Sequence, residues 1–372
     1  MGSTNDDVIV VGGRCAGAPV AMLLARAGRS VRILERSAQL GDVVSGHLIK
    51  PGGVARLRRW GVLDAVLAAG APQLDERVLW LAGQPHRPPA GQPGSGPVTP
   101  RRTVLDRVLL AAAARAGAQV ELGVSVHGLL REGGRVTGVA TSAGPRRARL
   151  VIGADGRNSR VARLAGARVY HDHPPVTFGY YTYWRGSPVT GVHAWLEPGR
   201  FFGIFPAGGD LVLAFVQGPR REYPAFRRDP MSAYTGELRA RPALAALLGG
   251  AVVAERLRGT AALPTFFRTP SGPGWALVGD AGHHKDPAIA RGIADAFRDA
   301  DLVAAAVQDG WPSDLDAALA RYGRLRDQCA VPLSDANLRL ARLSGTAAEL
   351  GATWLQMTEL EQALDGPAPA GS

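Results

Sequence analysis

The sequence VIVVGGRCAGAPVAMLLARAGRSVRILER, residues 8–36, decides the fold of this chain. Its first four residues are apolar and predict a buried strand, which a glycine-rich turn over 12–17 joins to a helix of small residues over 18–27. Gly28 ends that helix, and a second strand follows over 31–34. A strand, a glycine-rich turn, a helix and a second strand form the opening of a dinucleotide-binding α/β unit.

The glycine-rich turn departs from the usual pattern at one position. Gly12 and Gly17 stand where the first and third glycines are expected, Gly13 fills a variable position, and Arg14 replaces the second glycine. Backbone amides at a helix N-terminus favour an anion, and Arg14 can add a charge-assisted hydrogen bond to a phosphate. Glu35 closes the second strand at about the 20-residue spacing typical of an acidic side chain that binds a ribose hydroxyl. These residues predict nucleotide binding; the alternative is a tight turn without a ligand.

The composition narrows the class of protein. The 372 residues, 46% of them hydrophobic, suffice for a large core, and no apolar run is long enough to cross a membrane. The net charge of +11 comes from arginines that are scattered along the chain, which predicts a basic surface and not a nucleic-acid site. Cys15 and Cys329 lack metal-type spacing, so no metal site is predicted. With a polar, acidic N-terminus that lacks a signal pattern, the sequence predicts a cytoplasmic enzyme of open oligomeric state.

The middle of the chain changes character. Between residues 176 and 216, short aromatic-rich segments with alternating polarity predict an antiparallel sheet that forms one wall of a pocket. The Pro- and Gly-rich stretch 83–100 predicts a surface loop without regular structure, and the chain from Asp295 onward predicts helices. The predicted domains are a discontinuous dinucleotide-binding α/β unit over 1–70, 101–170 and 270–330, a substrate-binding sheet unit over 71–100 and 171–269, and a C-terminal helical segment with a tail over 331–372.

Two further motifs follow predicted strands. Asp155-Gly156 follows one, and Gly279-Asp280 follows another, ahead of a predicted helix. Each dipeptide alone predicts only a turn. All three motifs in this order, over roughly residues 7–306, resemble the FAD-dependent aromatic hydroxylases, the p-hydroxybenzoate hydroxylase-like flavoprotein monooxygenases. The resemblance implies a Rossmann-like FAD-binding domain of the glutathione-reductase type, an interleaved antiparallel β-sheet substrate domain and a helical C-terminus.

The resemblance also implies where FAD binds. The N-terminal turn and Glu35 are expected to hold the ADP half, and Asp155 with Gly156 matches the motif linked to both FAD and NADPH. Asp280 matches the aspartate that bonds the ribityl chain. Arg36 is expected near the adenosine, Val126 beside the adenine, and Arg102 in contact with FAD. Pro287 and Gly292 are expected against the isoalloxazine ring.

The chain departs from the family pattern at two places. Ala290-Arg291-Gly292 replaces the usual Gly-Gln-Gly, and Ala162 stands where an arginine is common. These places concern reduction of the flavin, so three sources of electrons stay open: NADPH, NADH or a separate flavin reductase.

The substrate-side residues follow from residue chemistry and the implied fold. His47 and Lys285 are the candidates for acid–base work near the flavin, with a loop histidine as the alternative for His47. Alternation along a strand places Tyr181 and Tyr183 on one face and Trp184 on the other. The candidate substrate-binding set is His47, Tyr181, Tyr183, Trp184 and Phe205.

The activity implied by the resemblance is hydroxylation or another oxygenation of an aromatic or polyketide-like small molecule. NAD(P)H reduces FAD, and O2 then forms a flavin C4a-hydroperoxide from which the substrate takes oxygen. An FAD-dependent reductase or dehydrogenase on the same fold is the main alternative. A flavin halogenase ranks lower, since FFGIFP at 201–206 lacks both tryptophans of the halogenase signature. A non-catalytic binding protein on this fold ranks last.

Overall fold

A computed structural model describes residues 6–45, 47–88, 92 and 94–365. The predicted tail after the last helix, residues 366–372, lies outside the described residues.

The described residues form helices and strands in the following order along the chain. The helices are α1 (Gly17–Arg26), α2 (Pro51–Arg59), α3 (Leu63–Ala68), α4 (Arg102–Arg115), α5 (Arg160–Ala165), α6 (Tyr223–Phe226), α7 (Pro230–Arg239), α8 (Pro242–Leu248), α9 (Gly292–Gly310), α10 (Leu315–Ala341) and α11 (Ala347–Asp365). The strands are β1 (Asp6–Val11), β2 (Val31–Glu35), β3 (Arg77–Leu81), β4 (Gln84–His86), β5 (Gln119–Leu122), β6 (Val126–Glu132), β7 (Arg135–Thr141), β8 (Gly144–Gly153), β9 (Val169–His173), β10 (Thr177–Arg185), β11 (Val192–Glu197), β12 (Arg200–Gly208), β13 (Leu211–Pro219), β14 (Val252–Val253), β15 (Arg258–Thr260), β16 (Thr265–Arg268), β17 (Ser271–Gly272), β18 (Trp275–Leu277) and β19 (His283–His284). Short 3₁₀ helices span Arg220–Glu222, Gly279–Ala281 and Pro287–Ile289.

The first sheet is the nucleotide-binding scaffold. Its strand order is β17-β18-β8-β1-β2-β5, and the hairpin of β6 and β7 joins it through β8. Strands β18, β8, β1, β2 and β5 run parallel to one another. Because both faces of its centre are covered, β1 is apolar and buried over four successive residues, 8–11, as parallel core strands are.

Helices and the hairpin cover the two faces of this sheet. Val8 and Val10 pack with α1, α4 and α9 on one face, while Ile9 and Val11 pack on the other face with the β6–β7 hairpin and α5. The hairpin turns at Gly133-Gly134, and both glycines have positive φ, as a tight two-residue hairpin turn requires. A helical layer, a central sheet and an outer hairpin form a three-layer α/β unit.

The second sheet has the order β14-β10-β13-β12-β11-β3-β4, with β15 paired to β10. All of its pairs are antiparallel except β3 with β11. Helices α6, α7 and α8 cover one face of this sheet, and α10 and α11 cover part of the other. The aromatic residues predicted to alternate along β10 to β13 do so, which leaves one face for the helices and one for the first unit.

A third sheet, β19-β16-β9, joins the two units. Strand β9 crosses the predicted domain boundary between residues 170 and 171, and β19 follows directly from the Gly279-Asp280 motif. The segment that carries this motif is therefore hydrogen-bonded, through β16, to the strand that leads into the second sheet.

The predicted α/β class with an inserted antiparallel sheet and a helical C-terminus is confirmed. One local prediction is wrong: the stretch 83–100 is not devoid of regular structure, because β4 pairs with β3 and Val98 bridges Ile49 and Gln73. Cross-strand hydrogen bonds from neighbours outweigh the weak local propensity of this Pro- and Gly-rich segment. Among the described helices, none combines the length and the apolar character needed to cross a bilayer.

Candidate functional site

The three sequence motifs meet at one edge of the first sheet. Strand register places Val11 beside Gly153 and Leu34, and Gly153 beside Leu277. These residues are the carboxyl ends of four parallel strands, and the motif turns follow them directly. In open α/β sheets, ligands bind in the crevice outside the carboxyl ends of the strands. The fold therefore gathers the motifs into one candidate site.

The first turn is built for close backbone packing. Gly12 has φ +103°, and a Cβ there would lie 2.5 Å from the carbonyl oxygen of Ala154. A Cβ on Gly17 would lie 1.9 Å from the carbonyl oxygen of Gly12. Both positions exclude any side chain, which confirms the packing reason for glycine there. Within the described part of the chain, the backbone amides of Cys15 and Ala16 donate to no acceptor, so they are available to an anion.

Arg14 occupies the second glycine position without backbone strain, since it is not among the described non-glycine residues with positive φ. Its side chain leaves the turn: Nη1 donates to Asp106 Oδ2 at 3.1 Å and to the carbonyl oxygen of Gly41 at 2.9 Å. Arg102 donates to both oxygens of Asp106 at 3.0 Å. Two guanidinium groups thus share one fully buried carboxylate and leave a net positive charge beside the turn.

Glu35 closes β2 and supports the turn directly. Its Oε2 accepts from the backbone N–H of Gly13 at 2.9 Å, and its Oε1 accepts from Ser37 N–H at 2.9 Å. Each oxygen keeps a further lone pair for a ligand hydroxyl. Arg36 is exposed, and Val126 is buried with its carbonyl oxygen accepting from Arg160 at 3.1 Å.

Asp155 and Gly156 form a helix start. Asp155 accepts hydrogen bonds from Ser159 Oγ at 2.5 Å and from the backbone N–H of Arg160 at 2.7 Å, so its carboxylate caps α5. Gly156 has φ +78° with open space where a Cβ would lie. In this structure the pair therefore positions the chain between β8 and α5.

Asp280, unlike Glu35 and Asp155, has a carboxylate that accepts no hydrogen bond from the described residues. It lies half-buried in the 3₁₀ turn after β18, and its carboxylate has no hydrogen-bond partner among the described residues. It interacts electrostatically with Arg102, Arg268 and the Cys15 thiol. Burial raises the pKa of that thiol to about 11, so Cys15 is neutral. An unpartnered carboxylate in a cleft is available to a ligand hydroxyl.

A buried polar chain lies next to Asp280. Asp299 on α9 accepts from the backbone N–H of Gly279 at 3.0 Å and bonds Nε2 of His283 at 2.9 Å. The ammonium of Lys285 donates to Nδ1 of His283 at 3.1 Å and pairs with Asp295 at 2.6 Å. Since a lysine can only donate, His283 carries its proton on Nε2. Burial, and then Lys285, lowers the pKa of His283, so this imidazole is neutral. Lys285 is thus held inside the protein.

The segment before α9 leaves a helix N-terminus open. Pro287 and Gly292 are exposed, and nothing lies within 4 Å of the place a Gly292 Cβ would take. Ala290 has φ +51°, a strained conformation for a residue with a Cβ. The Arg291 side chain turns inward and pairs with Asp365 at the end of α11 and with Asp295. The N-terminus of the 19-residue α9, with its partial positive charge, is therefore exposed at Gly292.

The side chain of His47 packs against β10 of the second sheet. Its Nε2 forms a short hydrogen bond with the Tyr183 hydroxyl, and the two rings stack 5.9 Å apart. His47 is 1% exposed with φ +56°, and within the described structure its Nδ1 is a buried atom without a partner. Burial, and then the charge of Arg102, lowers the pKa of His47 to about 3. At neutral pH this histidine is uncharged.

The remaining predicted wall residues divide between the two faces of the sheet, as the alternation predicted. Tyr181 and Phe205 share a buried cluster with Tyr183, and Tyr181 donates to the carbonyl oxygen of Val43 at 3.2 Å. Trp184 lies on the opposite face under α6 to α8, where its indole N–H donates to Tyr234 at 2.9 Å. The structure thus brings together His47, Tyr181, Tyr183 and Phe205, and it places Trp184 away from them.

Two residues of the candidate site, Arg101 and Asp106, were not predicted from the sequence. Arg101 lies 4.4 Å over the Tyr183 ring and pairs with Asp42 and Glu255 at 2.6 Å. Asp106 pairs with Arg14 of the glycine-rich turn and with Arg102 at the start of α4. The adjacent arginines at 101 and 102 were the only signal for the first. The spacing of an Arg and an Asp four residues apart on a helix could have indicated the second.

Comparison with known proteins agrees with this geometry. Residues 5–231 match the family model described as an FAD binding domain. The chain is similar to 6-methylpretetramide 4-monooxygenase of Streptomyces rimosus, with 32% identity over 330 residues that cover 80% of this chain and 73% of that protein. It is also similar to menaquinone reductase of Mycolicibacterium smegmatis, with 30% identity over 354 residues that cover 85% of this chain and 80% of that protein.

Among solved structures, the myxobacterial chondrochloren halogenase, an FAD-dependent enzyme, superposes with a TM-score of 0.82. The alignment covers 97% of this chain and 91% of the halogenase at 20% identity, which shows a shared fold. Monooxygenase, reductase and halogenase activities thus occur on this one architecture, so the fold alone does not identify the activity. The choice among them depends on the residues of the site.

Proposed function

Because this chain belongs to the FAD binding domain family, that of the FAD-dependent aromatic hydroxylases, we propose that it oxygenates an aromatic, polyketide-like small molecule. The protein is an FAD-dependent oxidoreductase of the monooxygenase class. The proposed co-substrates are O2 and a nicotinamide reductant, NADPH or NADH.

The observation that carries this proposal is the convergence of the motifs at the carboxyl edge of the first sheet. The free amides of Cys15 and Ala16 lie beside the surplus positive charge of Arg14 and Arg102, which suits a pyrophosphate. The unpartnered carboxylate of Asp280 suits a ribityl hydroxyl. An anion site and a hydroxyl acceptor in one crevice fit the two polar parts of FAD.

Bound FAD supplies the redox chemistry, in which a reduced flavin activates O2 for transfer of one oxygen atom to the substrate. The residues of this chain bind and orient. Glu35 would accept from a ribose hydroxyl, and the exposed N-terminus of α9 at Gly292 would stabilise negative charge on the reduced ring. Asp155 would act through the position of the β8–α5 turn, since its carboxylate is already bonded.

The proposed substrate side is a wall of aromatic side chains with one hydrogen-bond donor, Nδ1 of His47, that lacks an acceptor among the described residues. Tyr181, Tyr183 and Phe205 present buried rings, which suit a flat, largely apolar substrate. Burial, and then Tyr181, raises the pKa of Tyr183, so its hydroxyl stays protonated and can donate to Nε2 of His47. The imidazole proton then resides on Nδ1, which lacks an acceptor, and a phenol or carbonyl oxygen of the substrate would supply one.

Other sequence predictions become proposals with these roles. Lys285 would act as a positioning residue for His283, because its ammonium is paired inside the protein. The domain bounds stated above are proposed with β9, β16 and β19 as a shared third sheet. Direct reduction by NADPH or NADH is proposed over a separate flavin reductase; Ala162 and Arg291 are the residues whose substitution would test it.

A reductase is the second candidate, favoured by the 30% identity to menaquinone reductase over 85% of this chain. The two functions differ in the fate of oxygen. A monooxygenase consumes O2 and places one of its atoms in the product, whereas a reductase adds hydrogen and turns over without O2.

The experiment starts with FAD-loaded protein mixed anaerobically with NADPH, with NADH in parallel, while the oxidised-flavin absorbance is followed. Hydroxyanthraquinones and hydroxynaphthoquinones are then supplied with ¹⁸O2, and products are analysed by mass spectrometry. The proposal expects bleaching, substrate-stimulated NADPH oxidation and one ¹⁸O atom in the product. Products that form equally without O2 would favour the reductase, and bromide incorporation in the presence of bromide would favour a halogenase.

A further inference from the structure

Three metal-ligating side chains converge outside the flavin motifs. His171 and His173 lie on β9, and Asp335 lies on α10. One ligand atom from each lies within 4.8 Å of the others, and all three side chains are half-buried. The FAD proposal uses none of these residues.

The cluster already has a defined geometry. His171 Nε2 and Asp335 Oδ1 are 2.7 Å apart, so the strand and the helix are joined at this point. The rings of His171 and His173 meet edge to face, with centroids 5.0 Å apart and an interplanar angle of 89°. Phe267 on β16 packs against the His171 ring at 5.5 Å, which restricts its rotation. The imidazoles are therefore held close to the orientation in which they meet the carboxylate.

The backbone is distorted at the same place. Between β9 and β16, His173 pairs with Thr265 and Tyr170 pairs with Phe267, so β9 carries one extra residue in this interval. His171 has φ +50°, in the left-handed region that residues other than glycine seldom occupy. A β-bulge re-aims side chains, and such strain persists only where surrounding contacts maintain it. Here the bulge brings two histidines of one short strand to the same carboxylate.

We propose that His171, His173 and Asp335 bind one divalent transition-metal ion, of which Zn²⁺ is the representative. Two imidazole nitrogens and a carboxylate oxygen form a ligand set that Zn²⁺ takes in proteins, with water at the fourth position. Mg²⁺ and Ca²⁺ prefer oxygen ligands and bind imidazole nitrogen weakly, so neither is expected at this site. Two ligand atoms that each lie about 2.0–2.1 Å from one tetrahedral Zn²⁺ are roughly 3.3 Å apart. The His171–Asp335 hydrogen bond of 2.7 Å would therefore open, and a bond from each side chain to the ion would replace it.

The ion would fasten β9 to α10. Nearby, the Tyr170 hydroxyl already bonds Asp327 and Arg326 of the same helix, so the metal would extend an existing junction by about two more turns of α10. Strand β9 belongs to the third sheet, which joins the two units. The site is therefore a structural clasp, and its occupancy would change stability before it changed flavin chemistry.

The test uses the full-length, FAD-loaded protein after treatment with EDTA and exhaustive dialysis. Zn²⁺ alone is added in equilibrium dialysis and bound metal is counted by mass spectrometry, with Mg²⁺ as the comparison ion. The expected result is one tightly bound Zn²⁺ per chain, no Mg²⁺, and a higher Tm with Zn²⁺ than without it. Substoichiometric or equal binding of the two ions would overturn the proposal.

Single variants assign the ligands. His171→Asn suits the left-handed backbone because asparagine tolerates it, while His173→Gln and Asp335→Asn preserve size. Each should weaken Zn²⁺ binding by at least about 10-fold, since even outer-shell changes cost 10–100-fold. The control is His86→Asn, an exposed histidine on β4, which should bind like the parent.

Far-UV circular dichroism and retained FAD check that each variant is folded. If His171→Asn fails to fold, the other two variants still decide, and parental Zn²⁺ affinity in either one refutes the assignment. Loss of Zn²⁺ binding in His86→Asn to the same extent would show adventitious surface binding instead.

Discussion

Replacing Asp280 by alanine separates cofactor binding from folding. The carboxylate has no hydrogen-bond partner among the described residues and is only half-buried. Its removal therefore breaks no hydrogen bond or close ion pair among the described residues, and the free energy of unfolding of the FAD-free protein should change by no more than about 0.5 kcal/mol.

The effect on FAD is expected to be much larger. If the carboxylate accepts a ribityl hydroxyl, the lost bond is charge-assisted and contributes about 1.5–3 kcal/mol. At 1.4 kcal/mol for each factor of ten, the dissociation constant for FAD should rise roughly 10- to 150-fold. The stabilisation that FAD confers at a fixed concentration should fall by the same free energy.

The assay is fluorescence titration of FAD-free protein with FAD, together with urea unfolding with and without FAD. Asp309→Ala, an exposed aspartate on α9, should behave as the parent in both. Asp299→Ala is the opposite control: it removes the acceptor of Gly279 N–H and His283, so FAD-free stability should fall by about 3–5 kcal/mol. Unchanged FAD affinity in Asp280→Ala, with an intact fold, would remove Asp280 from the cofactor site.

Three further substitutions test the turn and the aromatic wall. Arg14→Gly removes a partly exposed pair while Asp106 keeps Arg102, so stability should fall by about 1 kcal/mol and FAD affinity by roughly 10-fold; tighter FAD binding would show that Arg14 contacts no phosphate. In the folded protein His47 has a pKa of about 3 and stays neutral, whereas in the unfolded chain it takes up a proton below pH 6.5. The free energy of unfolding therefore falls by about 1.4 kcal/mol per pH unit as the pH falls below 6.5. His47→Asn should therefore lose roughly 2 kcal/mol less than the parent between pH 6.5 and 5 in urea unfolding, and equal losses would contradict the burial argument. Tyr183→Phe leaves the second ring nitrogen of His47 unpaired and should cost about 1–3 kcal/mol, which the same unfolding series measures; an unchanged midpoint would mean that the short bond contributes nothing.

Local sequence rules were sufficient where the interactions are local. The order β1, α1, β2 follows from an apolar run, small residues and a glycine stop between residues 6 and 35. The division of Tyr181 and Tyr183 from Trp184 follows from the period of a strand alone. In both cases the residues that decide the outcome are neighbours in the chain.

Local rules do not identify a partner that comes from elsewhere in the chain. The Arg14 side chain donates to Asp106, which lies 92 positions away. The ammonium of Lys285 pairs with Asp295 on α9. Strand β4 forms in a segment of poor propensity because β3 lies beside it. None of these partners can be identified from the sequence around the residue concerned.

By itself, the sequence determined that this protein is an α/β flavoprotein with a glycine-rich turn at residues 12–17, because the apolar run, the glycines and the small-residue helix that define this unit are neighbours in the chain. Only the tertiary structure decided which charged side chains are paired within the protein and which are available to a ligand. Asp155 and Asp280 both follow a strand in a turn dipeptide, yet the first caps a helix and the second has no hydrogen-bond partner among the described residues. The chain after Asp155 folds into α5, whose start brings donors within about 3 Å of the carboxylate, whereas the chain after Asp280 forms a 3₁₀ turn and then β19.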